Sequence, residues 1–184
     1  MSDITRLLDA ARAGSPGAVD RLYEALYPEM HALAHANLRR NRALTLLDTT
    51  GLVHESFLKL NGAGLVNAAD RAHFMGYAAR VMRSIVVDFV RRRMADRRGG
   101  GAAHTSLDHE AVEVADPRDR EILGVADALE ELEKVDPRLV RVVELRYFAG
   151  LTETEAADVL SMSVRTVARD WEKARLFLEQ SLRQ

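Results

Sequence analysis

No cysteine occurs among the 184 residues, which excludes disulfides, thiolate metal sites and a cysteine nucleophile. Aromatic residues make up only 5%, and the apolar content rests on Ala, Leu and Val, a mixture that favours helix. No apolar run approaches the roughly 18 residues of a membrane span. The opening MSDITRLLDAARAG has no signal-peptide pattern, so a cytoplasmic protein with no membrane partner is expected. An excess of one charge is also missing: 26 Lys and Arg stand against 28 Asp and Glu, a net charge of −2. Partners must therefore be read from local patches. What is present, 47% hydrophobic and 29% charged residues, suits a folded chain with one substantial domain or two small ones.

The most informative stretch is GLTETEAADVLSMSVRTVARDWEKARLFLEQSL, from Gly150. Thr152 with Glu155 three residues on predicts a capping box, followed by a short helix with Ala156, Ala157, Val159 and Leu160 on its apolar face. Ser161-Met162-Ser163 interrupts the pattern, and Ser163 can cap a second helix. There Val164, Val167, Trp171, Ala174, Leu178 and Leu182 form one apolar stripe, while Arg165, Thr166, Arg169, Asp170 and Lys173 lie opposite. Two helices on a tight turn, the second cationic in front, read as a helix-turn-helix able to enter a major groove. An ordinary helical hairpin with a solvated face is the plainer reading.

Upstream, helical periods cover Asp3 to Ala13 and Pro16 to about Asn41, with a kink or break expected at Pro28. A helix is expected from Thr45, closed by a loop at Asn61-Gly62-Ala63-Gly64, and another from Asp70 or Arg71. That last one ends in RRRMADRR, five arginines in eight residues, enough to neutralise several phosphates. Gly99 to about Arg120 is Gly-rich and then acidic, and reads as a tether. Ile122 to Val135 and a helix begun by Asp136-Pro137 lead to Gly150. Nothing alternates with period two, so an all-α fold is expected: two small helical domains, 1–98 and 121–184, joined by a flexible linker, 99–120, the second a helix-turn-helix.

Two separate stretches resemble the same family. LRYFAGLTETEAADVLSMSVRTVARDWEKARLFL is similar to the DNA-binding region of ECF-type sigma factors of the sigma-70 family. GLVHESFLKL resembles that family's polymerase-binding helix, and FMGYAARVMRSIVVDFVRRRMADRR its promoter-melting helix. The resemblance implies an RNA polymerase specificity subunit, not an enzyme, with core RNA polymerase and promoter DNA as partners and no cofactor. It implies that Ser163, Arg165, Thr166, Arg169 and Lys173 meet the −35 element. Asn61, Asn67, Arg80, Arg83, Arg91, Arg92 and Arg93 would serve the −10 element, with Asn61 to Ala69 resembling the loop that captures a flipped base. Asp48, Leu52, Val53, Glu55 and Phe57 would bind polymerase.

The polymerase-binding pattern departs from the family's Asp-Ala-Glu-Asp-Leu-Val-Gln-Glu: Thr50 and Gly51 stand where two carboxylates are usual. A phosphate on Thr50 or Thr49 would restore charge at a helix N-terminus, which predicts control by a Ser/Thr kinase. An anti-sigma factor is a further candidate partner, and the acidic tether could mask the basic helix end. Two other readings are a helix-turn-helix regulator that works without polymerase, and a metal-dependent hydrolase using His31, His35, His54 and Glu55. The latter lacks the internal Glu of the zinc-protease motif.

Overall fold

The computed structural model describes residues 3–40, 48–63, 68–99 and 117–183. They form α1 (Asp3–Arg12), α2 (Ala18–Arg40), α3 (Thr49–Ala63), α4 (Arg71–Gly99), α5 (Pro117–Val135), α6 (Pro137–Val143), α7 (Glu153–Leu160) and α8 (Val164–Ser181), with no strand among the described residues. A π-helical segment, Glu144–Phe148, continues α6. None of these helices is long and apolar enough to cross a membrane.

Helices α1 to α4 pack around Leu8, Leu22, Leu26, Met30, Leu52, Val53, Leu60, Phe74 and Met82, all essentially inaccessible. The same core continues into α5 through Ile122 and Ala126. A second cluster joins α5, α6 and α8 through Leu129, Leu132, Leu139, Val140, Val143 and Ala174. A third holds the helix-turn-helix together through Val142, Leu145, Leu151, Ala156, Ala157 and Val167. Trp171 packs against both of the latter, as a core residue should.

Helix starts follow the side chains that can satisfy their free N–H groups. Asp48 caps α3, its Oδ1 accepting from Gly51 N at 2.5 Å. Asp70 caps α4 by accepting from His73 N at 2.9 Å. Burial pushes the Asp70 carboxyl up, but hydrogen bonds from His73 outweigh it and hold the group below the ordinary carboxylate value. Asp136 accepts from Arg138 N ahead of Pro137, and Ser163 accepts from Thr166 N.

Several sequence expectations need correction. Helix α2 runs unbroken through Pro28. That proline and Glu24, whose carbonyl loses its N–H partner, are both on the solvent side, so water can take the freed carbonyl. Helix α3 starts at Thr49 rather than Thr45 and includes Asn61 to Ala63, because an established helix propagates through weak formers at little cost. Helix α5 begins at Pro117, so Asp119 belongs to a helix and not to a tether. The apolar stripe of α8 is buried only at its centre: Val164 and Leu182 are exposed, while Asp170, expected on the charged face, is fully buried.

Candidate nucleic-acid interface

Three helical surfaces carry the residues of interest. The first is the leading face of α8. Ser163, Arg165, Arg169 and Lys173 are exposed and Thr166 is half-buried, so the five come together on one accessible side. Ser163 Oγ and Thr166 Oγ1 are 2.8 Å apart, which occupies both hydroxyls in the cap. The helix is held from behind. Arg146 donates to Leu151 O at 2.7 Å and lies 5.8 Å over the Trp171 ring, tying the approach to the turn onto α8. Asp170, buried beneath the exposed face, has Arg138 Nε at 2.8 Å and Arg169 Nε at 3.5 Å. Neither Asp170 oxygen receives an aligned hydrogen bond.

Helix α7, ahead of the turn, is capped at both ends by its own residues. Thr152 Oγ1 accepts from Glu155 N at 3.2 Å, and Glu155 Oε2 accepts from Thr152 N at 2.8 Å, the full capping box. Those hydrogen bonds from Thr152 hold the Glu155 carboxyl below its ordinary value, against a small effect of burial and with help from Arg71. Ser161 closes α7 with φ of 52°, a left-handed turn residue.

The second surface is the side of α4 that faces α5 and the π-helical segment. Here Arg83 Nη2 donates to Glu144 Oε1 at 2.9 Å, and Arg80 Nε lies 3.4 Å from the same oxygen and 3.8 Å from Glu133 through Nη2. Arg91 donates to Glu130 at 2.9 Å with Asp127 at 3.7 Å. The Glu130 hydrogen bond holds the Arg91 guanidinium above its ordinary value, against a small burial effect. Arg93 grips Asp119 through two nitrogens, Nε to Oδ2 at 3.1 Å and Nη2 to Oδ1. Arg92 points to solvent. Helix α5 thus runs back along α4, its start beside Arg93 and its end beside Arg80. Asn67 and the side chain of Asn61 lie outside the described residues, so the base-capture loop expected there does too.

The third surface is α3. Of the residues expected to meet polymerase, Asp48 is exposed and Glu55 half-buried, while Leu52, Val53 and Phe57 are buried in the bundle core. Those three fix α3 against α2 and α4, and contact with a partner falls to the outer side chains. Among them is Leu58, 75% exposed, a correction to the sequence reading, which counts it with Leu52, Val53, Phe57 and Leu60 in the apolar set of this helix. Its signal was present in the break of the apolar period: with Leu52, Val53, Phe57 and Leu60 on the inner side, Leu58 has to face out. Thr50 is exposed at the second helical position and Thr49 is half-buried.

Electrostatically the three surfaces differ. Helix α8 offers cations to solvent, where phosphates and base edges could be met. On helix α4, Arg80, Arg83, Arg91 and Arg93 are already paired and Arg92 is exposed. The first turn of α3 carries no acidic residue beyond its cap, Asp48. Among the described residues no group of three or more metal-ligating side chains converges.

Comparison with curated proteins gives no match. The family model for ECF sigma factors, by contrast, matches residues 1–184. A helix-turn-helix with an exposed cationic face, an arginine-lined long helix and a full-length family match agree, and the chain belongs to the ECF sigma factors, non-enzymatic subunits that bind core RNA polymerase and direct initiation at promoters.

Proposed function

We propose that this sigma factor engages polymerase through the outer face of α3 and that phosphorylation of Thr50 completes that surface. The observation that carries the reading is the first turn of α3. It has no carboxylate beyond the cap, and the side chain that stands out there is a threonine hydroxyl. Gly51 belongs to the same arrangement: a Cβ built on it would lie 3.3 Å from Asp48 Oδ1, so a carboxylate at 51 would crowd the cap. Position 50 has no such obstacle.

A kinase that moves the γ-phosphoryl group of ATP onto Thr50 Oγ1 would add about −1.5 to −2 charge beside the positive end of the helix dipole. Thr49, half-buried, is the weaker acceptor. Asp48 and Glu55 flank the site, and Leu58 supplies apolar area one turn further on. A charge pair formed at the interface is worth about 1.5 kcal/mol or more, roughly tenfold in affinity. Under this reading α1 to α4 serve polymerase and the −10 element, α5 to α8 carry the −35 side, and the linker is the stretch between Gly99 and Pro117. Arg80, Arg83, Arg91, Arg92 and Arg93 act on the −10 side, and Ser163, Arg165, Thr166, Arg169 and Lys173 on the −35 side. The protein works in the cytoplasm, where polymerase and kinase are found.

Titration of core polymerase with labelled wild-type, Thr50→Ala and Thr50→Glu proteins tests the switch. Tighter binding by Thr50→Glu than by Thr50→Ala is expected. Equal affinities for the two would remove it.

A further inference from the structure

The residues assigned so far to the −35 element all come from α8 or its cap. We propose that Arg138, the second residue of α6 and outside the helix-turn-helix, is a further DNA contact. It meets a phosphate beside Arg169, and the buried Asp170 carboxylate shared by the two arginines brings it there. The inference rests on the assignment of the α8 face to the −35 element.

The geometry begins with Asp170, which is fully buried. Its Oδ2 has Arg138 Nε at 2.8 Å, and its Oδ1 has Arg169 Nε at 3.5 Å. One carboxylate thus stands between two guanidiniums. Arg169 belongs to the accessible face of α8, so the shared anion puts Arg138 at the edge of that face. Both side chains reach water, Arg138 with 46% and Arg169 with 61% of its surface exposed. Each approaches Asp170 through Nε, and an arginine has two further nitrogens with which to meet a phosphate. The other contact of Arg138, Nη2 to Asp136 Oδ2, is long at 3.6 Å and exposed, so a phosphate can displace it.

A purely structural strut would be built differently. Arg93 grips Asp119 through two nitrogens and keeps only 14% of its side chain exposed. Arg146 is committed to Leu151 O and to the Trp171 ring. Neither oxygen of Asp170, by contrast, receives an aligned hydrogen bond, so Arg138 is held near the carboxylate without being locked to it. Helices α6 and α8 do not depend on this pair for adhesion, because Leu139, Val140, Val143 and Ala174 already join them. Apolar side chains hold two helices together as well as a buried ion pair does. Around Asp170, then, two cations share one buried anion at the margin of a surface that offers cations to DNA.

Arg138→Ala alone would strand the Asp170 charge, so the test removes both charges together. Asp170→Asn keeps an oxygen for Arg138 and serves as the reference. It is compared with Asp170→Asn/Arg138→Gln and Asp170→Asn/Arg138→Lys, all as full-length chains whose fold is checked by Trp171 fluorescence. The probe is a fluorescein-labelled duplex of mixed sequence, titrated by anisotropy at several salt concentrations.

The slope of log affinity against log salt should be shallower by about 0.9 for the Gln variant than for the reference, the share of one phosphate. Between about 50 and 200 mM salt its affinity should therefore fall about three- to fourfold less. The Lys variant should keep the reference slope, since an ammonium also neutralises a phosphate. A structural strut predicts no such split. Equal slopes for the reference and the Gln variant, or a Lys variant no steeper than the Gln variant, overturn the proposal. The assignment of α8 is checked in the same background with Lys173→Ala, which should lower the slope by about 1. An unchanged slope there defeats that assignment, whereas a lowered one beside equal slopes at position 138 defeats only the Arg138 contact.

Discussion

The buried carboxylate of α8 sets up an unequal pair of substitutions. Asp170 is fully buried, whereas Arg138, whose Nε approaches it to 2.8 Å, is roughly half exposed. Removing Arg138 leaves a charge inside the protein with only the more distant Arg169 nearby, a situation that costs about 3–5 kcal/mol. Removing the charge of Asp170 leaves an arginine that can turn to water, so Asp170→Asn should cost only about 1–3 kcal/mol. Arg138→Ala is therefore expected to be the more damaging by about 2 kcal/mol. Trp171 is the chain's single tryptophan and packs between the two C-terminal clusters, so its fluorescence reports unfolding of this half. With a urea slope of about 2 kcal/mol per molar, the two midpoints should differ by about 1 M. Equal midpoints, or a lower one for Asp170→Asn, would refute the view that the residue left behind decides the cost.

Thr152→Ala removes the cap of α7 and should lower stability by about 1 kcal/mol in the same unfolding assay. Because the Glu155 carboxyl is held below its ordinary value in the folded protein, the unfolded chain takes up that proton first. Its contribution is present above the ordinary carboxylate value and is lost as pH falls through the lowered one, so the acid side of the wild-type stability profile should be steeper than that of Thr152→Ala. On α8, Arg165→Ala or Arg169→Ala should cost about 1–3 kcal/mol on a −35 duplex if the side chain reads a base, with loss of discrimination there. Lys173→Ala should weaken all duplexes alike and reduce the salt slope by about 1, as seen by fluorescence anisotropy.

The parts of the fold legible in the sequence are those set by neighbours along the chain. Thr152 with Glu155, Asp136 with Pro137, and Ser163 before Val164 each fix a helix start through contacts two or three residues away, and all three caps are present. The Val167 and Ala174 stripe is local in the same sense. What escaped reading depends on distant partners. Arg83 finds Glu144 61 residues away and Arg91 finds Glu130 39 residues away, and nothing in a run of arginines tells whether DNA or the chain itself will neutralise it. Asp170 lies three residues after Val167 and four before Ala174, on the buried stripe itself, and only its charge argued for the solvent side; inside, it meets Arg138 from α6. The π-helical turn is invisible because Glu144 to Phe148 keeps the composition of an α-helix. On α3 four of the five residues read as the apolar set, Leu52, Val53, Phe57 and Leu60, are buried and Leu58 faces out, and an apolar face does not say whether its partner is the protein's own core or polymerase.

The most direct measurement is run-off transcription with core polymerase, on a promoter fragment selected from genomic DNA by the reconstituted holoenzyme, comparing protein phosphorylated at Thr50 with the unphosphorylated form. The account predicts a clear gain in transcript on phosphorylation, reproduced in part by Thr50→Glu and absent from Thr50→Ala. Equal transcript from phosphorylated, unphosphorylated and Thr50→Ala proteins would contradict it.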